Sequence, residues 1–142
     1  MAVLLHGEEG AVRRLMATSD RAQNLTGAWD RLLPRLRAEE RKIFASRGRG
    51  HWPANSPRTI AIKGRDEPNV DTGRLMRALT VNRARGSKTR RQKTQMLFGV
   101  NDNSIYWSRF VGKRRPFIVD DKTARKLGTR SVLEHLIYGD KL

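Results

Sequence analysis

The carboxylates Asp66, Glu67 and Asp71, the pair Asp120-Asp121 and the histidines His6, His51 and His135 are the residue types that could build a catalytic or metal site. Their spacing argues against one. The histidines are scattered, and no two stand at a metal-ligand interval. Asp66, Glu67 and Asp71 lie where a chain turns, and Asp120-Asp121 where a helix begins, so turn formation and capping account for them. A nuclease would have to draw its metal ligands from these five carboxylates. Without cysteine, thiolate metal sites, disulfides and a cysteine nucleophile are excluded. No P-loop, GxSxG or GxGxxG pattern occurs. Thr72-Gly73-Arg74 could offer a helix start to a phosphate, but one glycine is a weak signal and Asp71 beside it repels anions.

The other candidate chemistry is charge. Lys and Arg number 30 against 14 acidic residues, a net +16. Such an excess self-repels in a lone chain and attracts polyanions, nucleic acid foremost. It concentrates in a run holding Arg83, Arg85, Lys88, Arg90, Arg91 and Lys93. No aromatic residue is interleaved, so contact would be with phosphates rather than stacked bases. Acidic protein neighbours would satisfy the same residues. No apolar run approaches the roughly 20 residues of a membrane span, and MAVLLHGEEG lacks the basic leader of a signal peptide.

The elements that must position these residues follow from periodicity. Ala2–Leu5 reads as a short strand. From Glu8 the pattern is helical, with Val12, Leu15 and Met16 on one face. Ser19-Asp20 either caps a second helix or lies inside one long helix. Leu25, Ala28, Trp29, Leu32, Leu33, Leu36, Ile43 and Phe44 recur at three- and four-residue steps, the strongest periodic signal in the chain. Pro34 within it predicts a kink or a break. Gly48 and Gly50 end the helix. Residues 48–70 carry three prolines and three glycines and predict a long extended loop or arm, with Thr59–Ile62 as a strand inside it. That loop is expected to be mobile in the free protein. Trp52, between His51 and Pro53, is costly to leave in water and is expected to pack under the loop.

Asp71–Leu79 predicts a short helix capped by Asp71 or Thr72, followed by extended chain to Val81. SKTRRQKT predicts a hairpin tip, and Gln95–Val100 the return strand. Asn101–Asn103 turns, Ser104–Val111 is a short helix holding Tyr106, Trp107 and Phe110, and Arg115–Val119 is extended. A final helix, capped by Asp120 or Asp121, turns Ala124, Leu127, Val132, Leu133, Leu136 and Ile137 inward. The sum is a single α+β domain over residues 1–142. A small antiparallel sheet packs against a long N-terminal and a C-terminal helix, with an extended loop at 48–70 and a basic hairpin at 83–93.

These blocks, in this order, resemble the tailed-bacteriophage virion morphogenesis, or tail-completion, proteins related to the neck proteins that join head and tail. The residues carrying the resemblance are Trp52, Pro57, Thr59, Lys63, Thr72, Gly73, Leu75, Phe98, Gly99, Tyr106, Gly112, Arg115, Pro116 and Phe117. They span most of residues 1–120. The family's His-Gln pair is absent, with Arg109-Phe110-Val111 in that region, and the stretch from Tyr106 to Arg115 is short. The resemblance implies a structural role without catalysis or cofactor. It implies a homo-oligomeric ring, six-fold in the family setting, among other neck and tail proteins. The location would be the virion's head–tail junction or tail end, with the host cytoplasm during assembly. Thr72-Gly73 would aim the short helix at the sheet, with Gly73 where a side chain would clash. Arg115-Pro116-Phe117 would fix the last strand, Phe117 plugging the core or a subunit interface. The basic residues would face genome DNA or an acidic neighbouring ring. The rival reading is a nonspecific nucleic-acid-binding module outside any virion.

Overall fold

The apolar stripe over residues 25–44 builds the helix around which the rest is arranged. The computed structural model describes residues 8–68, 73–101 and 118–139. Among them the elements are α1 (Glu8–Gln23), α2 (Thr26–Ala45), α3 (Pro57–Lys63), α4 (Arg74–Thr80), β1 (Ser87–Arg91), β2 (Met96–Val100) and α5 (Asp121–Tyr138). The chain is α+β, with helices packed about a two-stranded antiparallel sheet. The expected strand at 2–5, the helix at 104–111 and the extended stretch up to Phe117 lie outside the described residues.

α2 runs unbroken through Pro34. Proline inside a helix costs about 3 kcal/mol. Leu32, Leu33 and Leu36, on either side of it, are all buried, and burying three leucines returns roughly 2 kcal/mol apiece. Burial wins, so the expected break does not occur. Ser19 and Asp20 sit within α1 and cap nothing. The chain bends instead at Asn24-Leu25, where Asn24 Oδ1 accepts from Thr26 N at 3.3 Å and from its hydroxyl at 2.8 Å.

Beyond Ala45 the chain turns through Arg47 and Gly48, both at positive φ, and Gly48 N donates to the Ile43 carbonyl at 2.7 Å. This turn lays Trp52 onto the end of α2, edge-on to Phe44 with ring centroids 5.3 Å apart. A Cβ on Gly48 would stand 2.2 Å from the Trp52 indole. Glycine is therefore required there on both conformational and steric grounds. Trp52 is buried, as its sequence context predicts.

The stretch 48–70 is not one extended loop. Pro57–Lys63 is helical, where a strand was expected for Thr59–Ile62. Ser56 caps α3, accepting from Thr59 N, Pro57 takes the first turn, and Gly64 closes it at φ 67. These local signals outweigh the β-branched Thr59 and Ile60. No residue of α3 is fully buried.

α4 begins at Arg74, three residues later than expected, with Gly73 as N-cap and no side-chain cap bond. Asp71 and Thr72 lie outside the described residues. Leu75, Ala78 and Leu79 are completely buried against α2, and the helix continues to Thr80 rather than ending at Leu79. α5 is capped as expected by Asp120, whose carboxylate accepts from Thr123 N at 2.9 Å. That bond, with the Thr123 hydroxyl and Arg49, holds the Asp120 carboxyl below its ordinary range. The inward face of α5 agrees with expectation in part, since Ala124, Leu127 and Val132 pack against the core. Ser131 and His135 are the buried residues, while Leu133 and Ile137 are exposed.

Candidate functional site

The basic run divides by strand alternation. β1 and β2 pair Ser87 with Val100, Thr89 with Phe98 and Arg91 with Met96 on one face. That face looks inward, because Met96, Phe98 and Val100 pack on the core. Lys88 and Arg90, opposite Gly99 and Leu97, belong to the other face. The expected hairpin tip SKTRR is thus a strand, and the tip is residues 92–95, closed by Gln92 N donating to the Gln95 carbonyl at 2.8 Å.

The tip is also anchored rather than free. The Trp29 indole N–H donates to the Gln92 carbonyl at 2.8 Å, and Leu25 N donates to the Lys93 carbonyl at 2.7 Å. The second bond satisfies a backbone donor at the start of α2 that no side chain caps. His135 of α5 reaches the same junction, with Nε2 2.9 Å from the Asn24 carbonyl. The helix bend, the hairpin tip and α5 are tied together by these bonds.

Between α2 and β1 lies an open cavity of about 370 Å³, lined by Asp30, Leu33, Pro34, Arg37, Asn82, Arg83, Ala84, Ser87, Thr89 and Arg91. Arg83 and Arg91 of the predicted run meet here. Arg85, Lys88, Arg90 and Lys93 do not line it. Arg91 pairs with Asp30. Arg37 comes from α2, is 8 % exposed, and its Nε has no hydrogen-bond partner. Burial, and then the like charges of Arg41 and Arg91, push Arg37 below the ordinary arginine value. Arginine does not release its proton in proteins, so the result is a buried cation still lacking an anion. Sequence reading missed Arg37, although a signal exists. The apolar stripe has a gap between Leu36 and Ile43, and Arg37 and Glu40 stand on the buried face within it.

Glu40 is the second polar residue in that gap. It is completely buried; Oε1 accepts from Val119 N at 2.8 Å, and Oε2 has no partner. Burial raises its carboxyl to about 7, with the Val119 bond pulling the other way. It pins the chain entering α5 to the middle of α2.

The remaining sequence candidates have structural positions. Thr59 and Lys63 are half-buried on α3, and Leu75 is at the centre of the core. Gly73 has φ 70, and a Cβ there would meet nothing nearer than Arg77 Nε at 3.9 Å. The expected clash is absent; backbone conformation is what calls for glycine. Thr72, Tyr106, Arg115, Pro116 and Phe117 lie outside the described residues. Asp66 pairs with Arg47 and Asp121 with Arg125. Among the described residues no group of three or more His, Asp or Glu could hold a metal ion. Nor is any described helix long and apolar enough to cross a membrane.

A second surface is apolar. Leu15 and Met16 of α1 are 69 % and 63 % exposed, and Val12 accompanies them. The helix touches the rest of the chain near its end, where Arg21 donates to the Leu136 carbonyl at 2.8 Å. Leu133, Ile137 and Tyr138 of α5 are exposed as well. Where α1 meets the end of α5 there is a groove of about 500 Å³, lined by Arg13, Arg14, Ala17, Thr18, Arg21, Leu136 and Ile137.

Searches for known proteins give no match to this chain among protein families, curated proteins or solved structures.

Proposed function

We propose that the protein is a structural component of a tailed-phage virion, assembling as a homo-oligomeric ring at the head–tail junction. It acts by binding its own copies and neighbouring neck and tail proteins, and its basic face meets genome DNA or an acidic ring. The sequence resemblance suggests this class. The observation that carries the assembly reading is α1. Helices in proteins draw most of their stability from packing an apolar face, yet the 16-residue α1 leaves Val12, Leu15 and Met16 exposed. A neighbour covering that face would supply the burial it lacks. A head-to-tail contact there would close into a ring where its rotation allows.

Light scattering on the wild type and on a Leu15→Glu, Met16→Glu double variant tests the reading. Concentration-dependent association that the double variant abolishes is expected. Equal masses for the two at every concentration would overturn α1 as the assembly face. The second reading, a nonspecific nucleic-acid binder outside any virion, is favoured by the Arg-lined cavity at β1. It predicts duplex binding by a monomer, with steep salt dependence.

A further inference from the structure

We propose that the cavity between α2 and β1 is a phosphate site that takes a phosphodiester of a nucleic-acid backbone, held by Arg37, Arg83 and Arg91. The inference does not rest on the virion reading. Three observations converge on it. Arg37 is more than nine-tenths buried, lines the cavity, and has an unpartnered Nε. Arg83, on the turn before β1, holds a left-handed backbone at φ 55, uncommon for a residue with a side chain, at the cavity's edge. Arg91 enters from the inner face of β1 and pairs with Asp30.

The count of charges decides the sign. Three guanidinium groups against one carboxylate leave two positive charges at the cavity. Further donors surround them. Ser87 and Thr89 lie on the same face of β1, their hydroxyls 3.4 Å apart, and Asn82 adds an amide. Donors arriving from a helix, a turn and a strand suit a tetrahedral oxyanion with several acceptor oxygens better than a planar carboxylate. The cavity is open on one side, so a polymer could pass with one phosphate seated. Arg85 before the strand and Lys93 after it are exposed and extend the positive surface at either end. Sequence choice is not implied, because contacts to phosphate position a duplex without reading it.

The test is fluorescence anisotropy with a short labelled DNA duplex, comparing wild type with Arg37→Met, Arg83→Gln and Arg125→Gln. Arg125 lies on α5 away from the cavity, and its loss changes net charge by the same amount. Losses of about tenfold are expected for Arg37→Met and Arg83→Gln, and under twofold for Arg125→Gln. The double variant of Arg37 and Arg83 should lose less than the product of its singles, since both groups hold one phosphate. Equal losses for all three single variants would overturn the site and leave diffuse charge. Arg83→Gln alters a surface residue, so it decides the matter even if Arg37→Met fails to fold. Inorganic phosphate, against chloride at matched ionic strength, should raise the unfolding temperature of the wild type more than that of Arg83→Gln, and equal rises would overturn the site. Polyglutamate displacing the duplex as readily as competitor DNA would overturn phosphate in favour of an acidic protein.

Discussion

Replacing Glu40 by glutamine should change how the protein's stability depends on pH. Burial raises the Glu40 carboxyl from 4.5 to about 7. A carboxyl whose folded value is raised favours the folded state while protonated. Its contribution is complete below the unfolded value and is lost as pH rises through the folded one. At about 1.4 kcal/mol for each pH unit, the whole effect is roughly 3 kcal/mol. Most of it falls between pH 5 and pH 8. The amide of the Glu40→Gln variant keeps a carbonyl oxygen to accept from Val119 N, which in the wild type donates to Oε1 at 2.8 Å, but it carries no charge to bury. Urea unfolding followed by tryptophan fluorescence should therefore show the wild type losing roughly 2 to 3 kcal/mol more than Glu40→Gln between pH 5 and 8. Other titrating groups cancel in the comparison. Parallel pH profiles for the two proteins would refute the reasoning. They would mean that Oε2 finds a partner, or water, once the carboxylate ionises.

Three further substitutions probe the frame around the site. Gly48→Ala forces a methyl group into the Trp52 indole at positive φ, and should cost about 3 kcal/mol with a shifted tryptophan emission. Gly73→Ala meets only an ordinary contact with Arg77, so its cost should be the backbone's alone, about 1 kcal/mol by urea titration. Ser56→Ala removes the cap of α3; hydrogen exchange should quicken over residues 57–63 while the global midpoint stays within about 0.5 kcal/mol, since α3 has no fully buried residue.

The sequence made α2 legible because its apolar residues repeat at helical spacing over a long stretch. It made the hairpin legible because the short apolar run Gln95–Val100 follows directly on a polar, basic run. What escaped it was tertiary. Pro34 promised a break, but buried leucines on both sides hold the helix together. Thr59–Ile62 suggested a strand, although Ser56, Pro57 and Gly64 already spelled a capped helix; that miss was avoidable. The basic run read as one patch, and register splits it into an inner Arg91 and an outer Lys88 and Arg90. Arg37 was the larger omission. A charged residue on an apolar stripe reads as an irregularity until the hairpin is seen to pack across from it. The inward face of α5 was read correctly at Ala124, Leu127 and Val132 and misassigned at Leu133 and Ile137, because its apolar residues spread around the helix and packing against α1 and α2 placed Ser131 and His135 inside.

The central claim is that this chain assembles through its exposed helical faces into a closed ring. Negative-stain electron microscopy of the purified protein, with and without a DNA duplex, tests it most directly. The account predicts closed rings of uniform diameter around an open centre, absent in the Leu15→Glu, Met16→Glu variant. Dispersed monomers under both conditions, at concentrations where the duplex is fully bound, would contradict it and leave the nucleic-acid-binding module as the reading to pursue.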